Sequence, residues 1–397
     1  MRVRVGVALL LIVAAVAAVQ WFRPIPAVAA TALLPSSDVV PGTAPALPWP
    51  ARGSAAVGVS GLGLIASSGN EQPIPAASVT KVMTALIVLF DQPLVIGAIG
   101  PGVTVTAADV QAYQNDLAQG QSVVKVEDGE VLSELQILEG MLIPSANNYA
   151  ELAARWQGGS SDAFVTKMNQ QAAAMKMTHT HFADPAGALP QSTSTPSDLF
   201  ILGSAAMKDP VFAFIVAKPQ VDLPVAGTVY NVDSVIGQNG IVGIKTGSGL
   251  NTGANFLFAA DVLVDGRHIF IIGCVMGQPS LALAFSSARS LIATMTPVLH
   301  VRRVIARNES VANYTTPWGN STDLVAQVDV DLAEWPGMVL RQRLSANAIV
   351  VNHPLASGTL EGTEHVVLGD YVFDVPLLTA DPLYPPGRFW RLTRVTF

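Results

Sequence analysis

The 397-residue sequence predicts an α+β protein: a mixed domain with an antiparallel sheet and a helical subdomain, followed by a small all-β domain. Three observations predict it. Short strand-like runs bracket a long region of helical periodicity. The turn Asp265-Gly266 joins two apolar runs as a hairpin, which makes that pairing antiparallel. Beyond about residue 300 the chain switches to short alternating runs separated by Pro and Gly. Length agrees, since a domain takes about 150 residues. Half of the residues are hydrophobic and only 13% are charged, against about 25% in an ordinary globular protein. With a mean hydropathy of +0.43, intrinsic disorder is excluded. Lys plus Arg number 22 against 29 Asp plus Glu, with no basic run, so no nucleic-acid partner is expected.

In chain order, Arg2 and Arg4 precede an uncharged run from Val5 to Phe22, closed by Arg23. This reads as a secretory signal, with small residues for cleavage at Ala27-Val28-Ala29. An uncleaved anchor is the alternative, because the run nearly spans a bilayer. Either way, residues 1–30 direct the rest of the chain out of the cytoplasm, to the cell envelope or beyond it, and leave the arginines inside. Residues 31–50 carry five prolines and read as an extended linker. Residues 51–299 form the mixed domain. Two short strands are expected over 54–67, turning at Gly61 to Gly63. Helices are expected from Ser78, with Val82, Met83, Leu86 and Leu89 on one stripe, then over about 132–157 with a break near Pro144, and over about 161–177. Strands return over 241–276, and a closing helix over 280–296 stops at Pro297. Residues 300–397 form the β-rich domain, with DLVAQVDVDL, NAIVVNH, HVVLGDYVFDV and FWRLTRVTF as its alternating runs.

The single cysteine, Cys274, rules out an internal disulfide and a cysteine metal cluster. It sits in the apolar run IFIIGCVMG and reads as a buried core thiol. His179 and His181 alternate as two ligands on a strand face would, but no third ligand is near. No metal and no cofactor are expected.

Three motifs carry chemistry. In Ser78-Val79-Thr80-Lys81 the first and fourth residues share a helix face, so the amine can lie beside the hydroxyl. A serine is a poor nucleophile until a base takes its proton. A lysine can be that base if burial or nearby positive charge lowers its pKa. In Ser145-Ala146-Asn147 a hydroxyl and an amide can face one cleft, or simply cap a helix. In Lys245-Thr246-Gly247, on a strand, the lysine offers charge, the threonine a hydroxyl, and the glycine room for a ligand backbone. Each motif alone is weak. Their order and their spacings of 67 and 100 residues, in a chain with only seven lysines, are specific.

With these motifs the sequence resembles the serine-type D-alanyl-D-alanine carboxypeptidases, the low-mass penicillin-binding proteins. PAASVTKVMTAL is similar to the nucleophile helix of that family, GEVLSELQILEGMLIPSANNYAELAA to its SxN region, and GIKTGSGLNTGANFLFAA to its KTG strand and partner. The likeness covers about residues 50–300 and implies a β-lactamase/transpeptidase-like domain. It also implies peptidoglycan stem peptides as substrates and β-lactams as covalent inhibitors. Carried onto matching positions, it implies Ser78 as the acylated nucleophile, Lys81 as general base and Ser145 as proton relay to the departing amine. Asn147 would bind the peptide, Lys245 would tune the field, and Thr246 would hold the terminal carboxylate. Gly247 would admit the ligand, and the backbone N–H groups of Ser78 and Ser248 would form the oxyanion hole.

There are departures. Gly249 stands where many relatives carry Thr, and Asn148 where many carry Asp. The family's frequent C-terminal amphipathic helix is missing, so any attachment to the cytoplasmic membrane would be N-terminal. A class A β-lactamase is disfavoured, because it needs a Glu between SxN and KTG and there is none from Leu152 to Asn308. A D,D-endopeptidase of crosslinks would use the same residues. A non-catalytic wall sensor would not need Ser78, Lys81 and Lys245 intact. The β-rich domain reads as a pedestal or as a partner-binding module.

Overall fold

The computed structural model describes residues 2–69, 71–249 and 252–394. The chain forms two compact units, Ala44–His300 and Met1–Thr43 with Val301–Phe397.

The first unit is built on a five-stranded antiparallel sheet. Its strand order is Ile241–Gly249, Gly253–Val264, Arg267–Gln278, Ser54–Val59 and Gly63–Ser67. The early hairpin therefore pairs with strands more than 200 residues later, and all the helices between them form an insertion. Asp265 and Gly266 both take positive φ, at 48° and 78°. This is the two-residue turn that matches strand twist, and only Gly, Asn and Asp tolerate it readily. Phe256 and Leu257 point to opposite sheet faces, as strand alternation requires. Phe256 meets Phe285 of the helix Leu281–Met295 edge-on at 4.8 Å. On the other face, Gly203 of the helix Pro196–Ala206 lies so close to Leu257 that an added Cβ would sit 2.9 Å from it. The sheet is thus covered on both sides, and Cys274 is fully buried in it. Burial pushes that thiol's pKa well up, as for an inert core cysteine.

The insertion carries the helices Lys81–Asp91, Ala107–Ala118, Glu134–Leu142, Asn147–Gly158 and Ser161–Ala174. The expected 132–157 helix is two helices, broken over 143–146 where Ser145 takes φ 69° ahead of a new start. Among the described residues, no three His, Cys, Asp or Glu side chains converge as a metal site would require.

The second unit corrects two expectations. Residues expected as linker, with Ala30 from the end of the expected export segment, form strands Ala30–Ala32 and Ser37–Val39, which are the two edges of a seven-stranded sheet. They pair with Ser310–Thr315 and Val339–Ala346. Pro35 falls between them and Pro41 after them, where no ladder donor is needed. Five residue steps separate Ala32 from Ser37, at most about 18 Å of chain. The sheet must therefore curl until its edges approach. The run FWRLTRVTF, expected as a strand, is a helix over Arg388–Thr393, and its last three residues lie outside the described residues. Helical winding puts Trp390 and Arg394 on one side, four residues apart.

Phe256 is fully buried between the Phe258 and Phe285 rings. Phe256→Ala should cost about 3–5 kcal/mol, read as a lower urea midpoint for the Ala44–His300 unit.

Candidate active site

The turn that carries Ser78 is held from behind. Asn255, fully buried on the strand paired with the Lys245 strand, donates through Nδ2 to Pro75 O at 2.9 Å and to Ala76 O at 3.1 Å. Its Oδ1 accepts Gly277 N–H at 2.9 Å, so one amide joins two strands to the turn. Ala77 then takes φ 49°, a left-handed conformation that a Cβ disfavours. The chain enters a single 3₁₀ turn, Ala77–Thr80, ahead of the helix Lys81–Asp91. Ser78 caps nothing there. Its Oγ instead accepts a hydrogen bond from Lys81 Nζ at 2.9 Å.

Lys81 has no exposed surface. Its Nζ also donates to Asn147 Oδ1 at 2.6 Å and to Ala186 O at 2.9 Å. Burial pushes its pKa well below the ordinary lysine value of 10.5, and the positive charge of Lys245 pushes the same way. Asp184, Asp116 and Glu151 oppose both effects more weakly. The two carbonyl oxygens can only accept. In the neutral amine they take its two N–H bonds, and the lone pair is left facing the Ser78 hydroxyl.

Asn147 opens the helix Asn147–Gly158, and the N-cap position is Ala146, without a side-chain cap. Ser145 and Asn147 are therefore not spent on capping. The Asn147 Nδ2 donates to Gln121 Oε1. Asn148, the departure from the resembled pattern, is buried and clamps both backbone groups of Val124: its Oδ1 accepts Val124 N–H at 3.1 Å and its Nδ2 donates to Val124 O at 2.9 Å. A carboxylate there could accept but not donate, so Asn148 fixes the segment that carries Gln121. Ser145 is buried two residues away and makes no side-chain hydrogen bond among the described residues.

Ala186 is presented by a loop that Asp184 organises. The carboxylate accepts N–H bonds from Ala186, Ala188 and Leu189 and the hydroxyl of Ser192, at 2.8–3.0 Å. Thr84 donates to Pro185 O at 2.7 Å and pins the loop to the Lys81 helix.

Lys245, Thr246, Gly247 and Ser248 lie on Ile241–Gly249, the edge strand of the sheet. A Cβ at Gly247 would sit 2.8 Å from Ala76 O and 3.1 Å from Ser78 N, so only glycine lets this strand run against the Ser78 turn. Lys245 and Thr246 are buried and Ser248 is exposed. Burial lowers the Lys245 pKa to about 7, against the pull of the buried Asp233 carboxylate, itself raised by burial to about 6. The structure thus joins Ser78, Lys81 and Asn147 by direct bonds and lays Gly247 on the Ser78 backbone. Lys245 acts on Lys81 through its charge, and Ser145 stands beside Asn147. The motif reading missed Asn255, Gln121, Asp184, Asp233 and the Ala186 carbonyl.

Lys245→Met should raise the Lys81 pKa by removing a neighbouring positive charge. The acid limb of the penicillin acylation rate should therefore move to higher pH, with the difference confined to conditions where Lys245 is charged, near and below about pH 7. Stability has its own sign. Between about pH 7 and 10.5 the unfolded chain holds a proton on this lysine that the native state does not, so native stability gains with rising pH. The variant should lose that contribution to the slope in urea melts across the window.

The sequence profile of the family described as D-alanyl-D-alanine carboxypeptidase matches residues 59–280. The chain is 32% identical over 213 residues to the D-alanyl-D-alanine carboxypeptidase DacB2 of Mycobacterium tuberculosis, covering 51% of this chain and 68% of that one. It is 30% identical over 164 residues to a D-alanyl-D-alanine endopeptidase of Pseudomonas aeruginosa, covering 41% and 50%. In fold it is similar to a peptidoglycan synthesis regulatory factor, PBP3, of Streptococcus pneumoniae, with a TM-score of 0.66 at 18% identity over 84% of this chain and 99% of that one. The chain belongs to the serine D-alanyl-D-alanine carboxypeptidase family.

Proposed function

We propose that the protein removes the terminal D-alanine from peptidoglycan stem peptides through an acyl-enzyme on Ser78. One observation carries this reading: a fully buried Lys81 whose two carbonyl partners leave its third position on Ser78 Oγ at 2.9 Å. Neutral Lys81 takes the Ser78 proton as Oγ attacks the carbonyl between the last two D-alanines. The oxyanion that forms is held by the Ser78 and Ser248 N–H groups, and removing such a donor costs about 10²–10³ in rate in other enzymes. The C–N bond breaks as Ser145 relays the proton now on Lys81 to the departing D-alanine amine, which leaves Lys81 neutral again. Water then cleaves the ester and restores the Ser78 hydroxyl.

The substrate enters as an added strand along the open edge Ile241–Gly249, where Gly247 leaves room for its backbone. Lys245 and Thr246 hold its terminal carboxylate. Asn147 holds a peptide carbonyl through Nδ2, so Gln121, which occupies that donor in the free enzyme, moves aside. β-Lactams acylate the same serine. Peptidoglycan lies outside the cytoplasm, so the Ala44–His300 unit works there, and the helix Arg2–Phe22 is what exports or tethers it. It has a 19-residue apolar stretch, none of it buried in the protein.

A labelled penicillin should form a stable covalent adduct in the wild type and none in Ser78→Ala. A wild type that stays unlabelled overturns the reading. Mass spectrometry of a D-Ala-D-Ala-ended pentapeptide should show release of one D-alanine. Cleavage confined to crosslinked dimers would instead assign an endopeptidase.

A further inference from the structure

The C-terminal helix is built onto the end of the N-terminal one. Arg394 is buried, and its guanidinium donates to three backbone carbonyls just where the helix Arg2–Phe22 stops: Gln20 O at 3.1 Å, Arg23 O at 2.5 Å and Pro24 O at 3.0 Å. Gln20 O and Arg23 O are among the orphan acceptors that a helix C-terminus leaves, and a cation is the favoured partner for them; Pro24 O lies just past the cap. Gln20 Nε2 returns a bond to Arg394 O at 3.4 Å. The Arg394 guanidinium also lies 5.2 Å from the Trp390 ring, and the Arg391 guanidinium 5.9 Å from the Trp21 ring. Trp390 in turn donates to Pro317 O and packs edge-on against Trp318 at 5.2 Å, which ties the pair of helices to the β unit.

This arrangement bears on the two readings of the N-terminal run. Cleavage after Ala29 would remove Gln20, Arg23 and Pro24, and Arg394 would lose every one of those acceptors. The cleavage-like residues are themselves part of the fold. Val28 is buried and exchanges two backbone bonds with Ile349, at 2.8 and 2.9 Å. Retained, the 19-residue apolar stretch is about 28 Å long, close to the hydrocarbon thickness of a bilayer.

The surface around the junction has the composition of a membrane interface. Phe22 is 83% exposed and Phe389 80%, beside exposed Leu392 and Trp21. Between Pro382 and Arg394 the sequence has three arginines and no carboxylate. A cleft of about 530 Å³ opens there, lined in part by Arg23, Trp390 and Arg394. Exposed aromatic rings beside arginines seek the headgroup region, where the ring is buried and the cation meets phosphate.

We propose that the N-terminal helix is a retained transmembrane anchor whose outer end is locked by the helix Arg388–Thr393 into a foot on the anionic phospholipid surface. The proposal rests on the reading of Arg2–Phe22 as the tether, and deepens it by adding the C-terminal partner and the lipid it meets. The basic end near the N-terminus stays on the opposite side of the bilayer.

The test uses the full chain and its one buried cysteine, which leaves an introduced thiol as the only accessible one. Phe389→Cys and, as a control on the same unit, exposed Val372→Cys each carry a nitroxide in proteoliposomes of phosphatidylcholine with phosphatidylglycerol. The label at 389 should be several-fold less accessible than that at 372 to a water-soluble relaxant, and more accessible to a lipid-soluble one. Arg394→Ala should return the 389 label to water while penicillin labelling of Ser78 persists. Intact mass of the membrane-bound protein should include residues before Ala30. A membrane-bound chain with the 389 label in water, or unchanged by Arg394→Ala, overturns the foot and leaves the tether standing. A soluble chain that begins at Ala30 overturns both.

Discussion

A lysine without solvent organises this active site. An ammonium in an apolar interior is costly, and the protein answers with a lowered pKa and three oxygen neighbours. Two of those oxygens are carbonyls, and this asymmetry gives the amine a direction. In the mechanism proposed above, it aims the base at Ser78. The elements around it can be understood by what they do for those three contacts. The helix starting at Asn147 supplies one carbonyl and the loop braced by Asp184 the second. The turn anchored by Asn255 supplies the hydroxyl.

The same constraint explains the glycine on the edge strand. Bringing Lys245 near enough to act on Lys81 brings the strand backbone onto the Ser78 turn, and any Cβ at position 247 would enter that contact. Close approach and electrostatic tuning are thus one geometric demand. Asp233 belongs to the same balance. It pulls Lys245 toward its charged form, while burial pulls toward the neutral one.

The motif residues were legible in the sequence because their chemistry admits few residue types. A hydroxyl three positions before a lysine, an amide after a serine and a glycine beside a lysine each state a requirement. What surrounds them states none. The Ala186 carbonyl has no side-chain signature. Asn255 looks like any polar strand residue until a turn 179 residues earlier reaches it. The α+β class was legible from hairpin and helix periods. The edge strands at 30–32 and 37–39 were hidden, because three-residue strands among prolines look like linker. FWRLTRVTF fits two periods at once, and contacts with another helix, at the far end of the sequence, decide it.

The proposed mechanism requires Lys81 to be neutral where the enzyme works. The direct measurement is the pH titration of the lysine ε-carbon resonances by ¹³C NMR, with seven lysines to resolve and Lys81→Met to assign the signal. Lys81 should lose its proton well below 10.5, and Lys245 should titrate near 7. A Lys81 resonance that stays ammonium-like up to about pH 10.5 would contradict it.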